Sequence, residues 1–384
     1  MISLPVLNFL KKEMKIAIQA ADLDNKRIDG TRVYLLNVLK FLGEISSEDE
    51  FLIYHRKEFN RKLAPADFPN YAIKQKDFPF LWTQIRFALE LWRDNPDVLW
   101  MPMHNMPLIR RKKMKTVVTI HDLAFKLFPE SFPAKDLRSI NFLTDNAVKN
   151  VDKIIAISQS TKKDILKFYP EVGEEKIKVI HHGFDAVLFQ KNISEQESGK
   201  VLGNYNLKAK SYLLYVGAIQ PRKNLEVLIK AFEIYKKNNK NIKLVLAGSK
   251  AWLWEGIFER IEKSEFRKDI IETGRVGFNE LAALYQNASV FIFPPKYEGF
   301  GIPILEAFAS GVPVISAKNS SLEEVGGTAA EYFQTEDAEE LAEKMKKVAG
   351  DEVLRKEMIK KGAERAAHFS WEKCARETLE YLKS

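Results

Sequence analysis

Cysteine is almost absent from this chain: Cys374 is the single example in 384 residues, so no intramolecular disulfide and no cysteine-rich metal site can form. A reducing cytosol is the simplest setting for such a sequence. Long apolar runs are missing too, and no segment approaches the length of a transmembrane helix. No internal repeat or low-complexity tract stands out. The opening MISLPVLNFLKKE carries its apolar run before its lysines, the reverse of a secretory signal, and reads as a leader before a first strand at Met14, with a small surface anchor as the lesser alternative.

With 46% hydrophobic and 29% charged residues, the composition is that of a globular protein, long for one domain and natural for two. Short apolar runs alternate with amphipathic stretches, which predicts α/β architecture with parallel sheets. Strands are expected at Lys15 to Ala20, Phe51 to Tyr54, Val98 to Met101, Thr116 to Ile120, Lys153 to Ile157 and Lys178 to Ile180. A second set follows at Tyr212 to Val216, Lys243 to Ala247, from Ile270, at Ser289 to Phe293 and at Val312 to Ser316. The polar stretch 191–210 between the sets reads as a linker joining a domain of residues 1–190 to one of residues 211–369. Ser370 to Ser384 forms a final amphipathic helix.

Net charge is +8, unevenly spread: residues 1–190 hold 30 Lys/Arg against 24 Asp/Glu, and the remainder 30 against 28. The densest basic run, Arg110, Arg111, Lys112, Lys113 and Lys115, reads first as a solvated loop and second as a peripheral contact with an anionic membrane. Nucleic acid is a poor fit, because no aromatics interleave a basic face and no zinc or helix-turn-helix signature is present. The first-half aromatics, among them Phe78, Phe80, Trp82, Trp92 and Trp100, read mostly as core, with an acceptor platform as the alternative.

The most informative string is EGFGIPILEAFASGVPVI, residues 298–315. Gly299 and Gly301 permit a tight turn, Pro303 suits the first turn of a helix and Gly311 its end. Free amides around Ile302 to Leu305 would suit a phosphate, and the carboxylate of Glu306 would suit the paired hydroxyls of a ribose. Glu298 would then face whatever lies beyond the diphosphate. Arg222 and Lys223 follow a strand end in YVGAIQPRKN, where two cations could neutralise that diphosphate. His121 and Asp122 end the strand TVVTI at the edge where α/β sheets bind ligands.

Together these strings resemble the retaining GT-B glycosyltransferases, in particular glycosyltransferase family 4, and the resemblance spans nearly the whole chain. It implies two Rossmann-like α/β domains facing each other across a cleft, with the last helix, 370–384, returning to the first domain. By resemblance Glu306 binds the donor ribose, Glu298 lies beside the transferred sugar, Arg222 and Lys223 clamp the diphosphate, and His121 reaches the sugar. Gly299, Phe300, Gly301 and Ile302 would line the donor turn, Val276 and Gly277 would border the base, and Gly30 would lie under the phosphate. His121 and Glu298 are the expected catalytic pair. No carboxylate is assigned as a nucleophile, and the His181 and His182 pair is expected to join the domains without catalytic duty.

The implied reaction moves a hexose-type sugar from a nucleoside-diphosphate donor of the GDP-mannose or UDP-glucose type to a hydroxyl of a glycan or lipid-linked acceptor, with retention and with neither cofactor nor metal. One alternative is a sugar-nucleotide epimerase or phosphorylase on the same fold. Another is a metal-dependent GT-A enzyme, suggested only by Asp22-Leu23-Asp24.

Overall fold

A computed structural model describes residues 13–25 and 29–384. The leader reading therefore lies outside the described residues except at Glu13. Two parallel sheets organise the chain. The first comprises β1 (Lys15–Gln19), β2 (Glu50–His55), β3 (Tyr71–Gln75), β4 (Val98–Met101), β5 (Lys115–Ile120), β6 (Lys153–Ala156) and β7 (Ile177–Val179), in the order β3-β2-β1-β4-β5-β6-β7. The second comprises β8 (Tyr212–Val216), β9 (Lys243–Ala247), β10 (Ile270–Gly274), β11 (Val290–Phe293), β12 (Val314–Ala317) and β13 (Ala330–Phe333), in the order β10-β9-β8-β11-β12-β13.

Each order reverses once, between β1 and β4 and between β8 and β11. Loops leaving the carboxyl ends of strands at such a switch point diverge and leave a crevice where ligands bind in open α/β sheets. The central strands are apolar on both faces because helices cover both: Leu213 and Leu214 on β8, and Phe291 and Ile292 on β11, are fully buried. Register is fixed by parallel pairs such as Ile18 with Trp100 and Val290 with Leu213.

The expected strands are present to within a residue or two. Two edge strands, β3 and β13, were not foreseen. Helix α1 (Gly30–Ile45) starts where Asp29 accepts the Arg32 N–H at 3.3 Å, and buries Tyr34, Leu35, Val38, Leu39 and Leu42 on one stripe.

Contacts divide the chain into two compact units, one holding residues up to Thr119 with Asn146–Ile155 and Ala375–Ser384, the other Ile120–Asp145 with Ala156–Cys374. The division differs from the boundary expected at residue 190. The supposed linker 191–210 belongs to the second unit and is folded: Ser194 and Glu197 form a capping box that starts helix α2 (Glu195–Asn204). Leu202 and Leu207 are buried there, and Tyr205 Oη donates to Glu280 at 2.8 Å, so polarity in this stretch reflects a solvated helix face rather than loose chain.

Of the closing helix α3 (Trp371–Lys383), residues 375–383 belong, with Ser384, to the first unit. Lys383 Nζ donates to both oxygens of Asp49, at 2.9 and 2.7 Å, and the Asp49 side chain is wholly buried. Asp49 also accepts the Met14 N–H at 3.0 Å and the Ser46 hydroxyl at 2.5 Å. Removing one partner strands a buried charge, so Lys383→Met is expected to lower unfolding free energy by about 3 kcal/mol. Urea denaturation measures it; a change near zero would show that Asp49 is satisfied without Lys383.

Candidate functional site

The strand VFIF of β11 is fully buried and ends at Pro294 and Pro295, which stop the ladder and release the loop that carries Glu298. At Gly299 a Cβ would lie 2.1 Å from the backbone oxygen of His121, so any side chain would collide with the main chain that follows β5. Gly301 has φ of 108° and opens helix α4 (Ile302–Ala309) with Pro303 in its first turn, as expected. The Ile304 amide, expected to be free, donates to Gly301 O at 3.0 Å and is spent within the turn. Serines the sequence reading missed hold this loop: Ser320 Oγ accepts the Glu298 N–H at 3.0 Å, and Ser321 Oγ donates to the carbonyls of Glu298 at 2.9 Å and Phe300 at 2.8 Å.

The strand β8 ends at Val216, Gly217 follows, and a short 3-10 turn, Pro221–Lys223, carries the two cations. Asn224 closes the turn in a left-handed conformation at φ of 57° and ties it to the β11 loop through Pro294 O at 3.1 Å. Lys223 Nζ donates to Glu298 Oε1, and Arg222 Nη1 stands 3.7 Å from Glu298 Oε2 while donating to Tyr297 O. All three charged side chains are 12 to 13% exposed. Burial pulls the Lys223 ammonium below its ordinary value, with Glu298 opposing. Burial acts likewise on Arg222, yet Glu298, Asp122 and neighbouring groups hold its guanidinium above the usual range.

His121 and Asp122 come to the same place. Thr161 Oγ1 donates to His121 O at 3.3 Å and lies 3.5 Å from Gly299 O, pinning the two loops together. Asp122 Oδ1 accepts the Ala124 N–H at 2.9 Å, so it caps its own turn as well as facing the cations. Tyr297 donates to Asp164 at 2.6 Å, and its ring packs 6.1 Å from Phe128; neither residue was marked by a motif. The His121 ring lies 5.4 Å from that of His182, which burial, with His121 and His181 nearby, keeps well below the usual histidine range. His182 is thereby a neutral packing residue against Phe300 and Trp371. The Phe300 ring is itself buried among histidines and Phe369, leaving its main chain to border the turn.

Glu306 sits in α4, partly exposed, and accepts from Tyr285 Oη at 3.0 Å. Burial pushes its carboxyl up to about 7, the Tyr285 hydrogen bond opposes this, and Asp185 adds to it. Tyr215 feels the charges of Glu298 and Arg222, and it in turn acts on Tyr285, the partner of Glu306. Val276 packs on the core beside Gly277, whose N–H is 3.4 Å from Glu280 Oε2 at the start of helix Phe278–Asn287, one residue before the expected Asn279. Gly30 lies in the other unit as the first residue of α1, with open space around its Cα.

A family model described as glycosyl transferases group 1 matches residues 204–365, and one described as glycosyltransferase family 4 matches residues 43–187. The chain is 27% identical over 270 residues to O-antigen chain mannosyltransferase B of Escherichia coli, covering 70% of each. It is 28% identical over 256 residues to the O-antigen chain mannosyltransferase RfbU of Salmonella typhimurium, covering 67% of this chain and 65% of that one. The similarity to the serotype-specific mannosyltransferase WbdA of Escherichia coli, 28% over 284 residues, takes in 73% of this chain and 34% of the relative. Among solved structures, HepE of Anabaena in complex with UDP and glucose superposes with a TM-score of 0.72 at 17% identity, covering 97% of this chain and all of that one. WaaG, a glycosyltransferase involved in lipopolysaccharide biosynthesis, gives 0.72 at 14% identity over 95% and 98% of the two chains. At such identities the structures show the fold alone, which is GT-B.

The raised carboxyl of Glu306 has a consequence for stability. Below the unfolded value of 4.5 both states are protonated; as pH rises toward about 7 only the unfolded chain ionises, so stability is lost across that window. The free energy involved is at most ~3 kcal/mol, reduced by partial solvent access. Glu306→Gln lacks this loss, so its stability relative to wild type should rise between pH 5 and pH 8 in urea unfolding. A pH-independent difference would mean that Glu306 titrates as an ordinary carboxylate.

Proposed function

The chain belongs to the group 1, family 4 glycosyltransferases, and from that premise we propose that it moves a hexose-type sugar from a nucleoside-diphosphate donor to a glycan or lipid-linked hydroxyl with retention of configuration. Relatives named as O-antigen mannosyltransferases favour a GDP-mannose donor and a role in cell-surface polysaccharide or glycolipid synthesis. HepE, solved with UDP and glucose, keeps a UDP-glucose donor in view. The observation that carries the reading is the pair of buried cations, Arg222 and Lys223, converging on Glu298 at the switch point of the second sheet.

The chemistry follows from charge. As the bond from sugar carbon 1 to the leaving phosphate oxygen breaks, negative charge grows on the diphosphate and positive charge on the sugar. Arg222 and Lys223 stabilise the first, already dry and oriented before the reaction begins. Glu298 and His121 border the second. In a front-face path the acceptor oxygen bonds to carbon 1 on the side the phosphate leaves, and its proton passes to a phosphate oxygen. Glu306, deprotonated, takes the two ribose hydroxyls, and Tyr285 holds it in place. Val276 and Gly277 border the base, and Gly299 to Ile302 carry the main chain of the donor turn.

The reaction needs no metal in this account, since the protein's own cations fill that role. The Asp22-Leu23-Asp24 pair that suggested otherwise is engaged elsewhere: Asp24 Oδ2 accepts the amides of Arg56 at 2.9 Å and Lys57 at 2.7 Å, and Asp22 lies 3.8 Å from Arg32.

An alpha-linked donor should yield an alpha-linked product in EDTA, together with free nucleoside diphosphate. NMR of the product's anomeric proton decides it, and a beta linkage would require a general base and end the front-face account. Product without a heavier acceptor would point instead to an epimerase or phosphorylase. Lys223→Ala and Arg222→Ala should each weaken nucleoside-diphosphate binding by about one to two decades, the worth of a charge-assisted contact. Calorimetric titration measures this, and unchanged affinity in both would remove the clamp.

A further inference from the structure

Two loops carry charged groups of the site, and one buried side chain joins them. The loop after β11 holds Glu298, and the loop after β5 holds His121 and Asp122. Tyr297 is 5% exposed and touches both. Its carbonyl accepts from Arg222 Nη1, and its peptide bond leads directly to Glu298. Its phenol oxygen takes a hydrogen bond from the Leu123 backbone while donating to Asp164 Oδ2 at 2.6 Å. Burial, with Asp122 and Asp164 adding to it, holds the phenol's proton in place, so Tyr297 stays a donor.

Asp164 belongs to the helix Gln159–Phe168, whose start Ser158 caps by accepting the Thr161 N–H at 3.0 Å. Thr161 and Asp164 are three residues apart and so share a face of that helix. Thr161 Oγ1 meets the carbonyls of His121 and Gly299, at 3.3 and 3.5 Å, while Asp164 takes the Tyr297 hydroxyl. Tyr297 and Gly299 flank Glu298 in the chain. One helical turn thus fastens the residues on either side of that carboxylate, together with the backbone that presents His121.

The hydroxyl is what distinguishes tyrosine at this position. Ring packing against Phe128, 6.1 Å away, would be much the same for phenylalanine. Placing the hydroxyl in the interior brings Asp164 with it as a partner, and burial, with Asp122 adding to it, pushes the Asp164 carboxyl above its ordinary value, against the Tyr297 bond and Lys167. An apolar pair of similar volume would avoid that desolvation. The polar pair supplies direction instead: a hydrogen bond fixes the phenol to one oxygen at one distance, and apolar contact does not.

The geometry points to Tyr297 as a positioning residue, held by Asp164, that sets the separation of Glu298 from His121 around the sugar. It acts on the charge developing in the transition state rather than on nucleotide affinity. Phenylalanine at 297 keeps the carbonyl that accepts from Arg222, and Asn224 still holds the cation turn to Pro294 O at 3.1 Å, so the diphosphate clamp stays in place. The inference rests on the transferase reading.

Steady-state release of GDP from GDP-mannose and of UDP from UDP-glucose, with water as acceptor, tests it alongside calorimetric titration of GDP and UDP. Tyr297→Phe and Asp164→Ala should each lower kcat about tenfold, as expected for one hydrogen bond to a charged group that acts only in the transition state. Donor KM and nucleotide Kd should stay within about twofold of wild type, because ground-state binding is untouched. Asp164→Asn, whose amide oxygen still accepts from the phenol, should recover most of the rate. A merely structural pair would lower the melting temperature and leave kcat unchanged well below it. Unchanged kcat in Tyr297→Phe, nucleotide binding weakened in step with the rate, or an Asp164→Asn variant as slow as Asp164→Ala overturns the inference. A wild type that binds GDP or UDP yet releases neither from its sugar contradicts the transferase reading first, and the inference falls with it.

Discussion

Lys223 and Arg222 share the carboxylate of Glu298 in surroundings that leave all three side chains little exposed, and ions so dry are costly unless each charge is answered. The surrounding structure is built to answer them. Asn224 pins the cation turn to the β11 loop, Ser320 and Ser321 fix the backbone that carries Glu298, and Gly299 lets that backbone reach His121. The cations outnumber the carboxylate they face, and Asp122 lies close enough to add to the balance. In the proposed reaction, a diphosphate arriving there would compete with Glu298 for the same donors. Removing Glu298 from its partners would free it to face the sugar.

The end proposed to take the ribose works on a different principle. Glu306 is held by one hydroxyl, that of Tyr285, and burial rather than a cation sets its charge. Two hydroxyls from a ribose would supply what the protein withholds. In the proposed reaction, donor binding would couple a pair of carboxylates with opposite needs: Glu298 faces two cations, whereas Glu306 has none.

Much of this was legible in the sequence, because the features that build the site are local. Pro and Gly around α4, the Arg222-Lys223 step after β8 and His121-Asp122 after β5 each follow a strand whose apolar run marks its end. The edge strands β3 and β13 escaped because an edge strand is half solvated: Tyr71–Gln75 buries only Tyr71 and then alternates half-buried with exposed residues, and Ala330–Phe333 buries only Phe333 fully, so neither leaves a continuous apolar run. Tyr285, Tyr297, Asp164 and the Ser320-Ser321 pair escaped for another reason. Their role depends on partners far along the chain, 133 residues apart for Tyr297 and Asp164, and nothing local marks such a contact. The exposure of Phe80 and Trp92 was hidden likewise, since an aromatic residue looks the same in sequence whichever side it takes.

Calorimetric titration of Glu298→Gln with the nucleoside diphosphate tests the central claim most directly, because it asks whether Glu298 and the diphosphate compete for Arg222 and Lys223. The amide keeps the shape and removes the competing charge. Tighter binding than wild type, by about a decade for one released charge-assisted contact, is the predicted result, accompanied by loss of sugar transfer. Weaker or unchanged binding would mean that the cations do not receive the diphosphate, and the account of the site would fall with it.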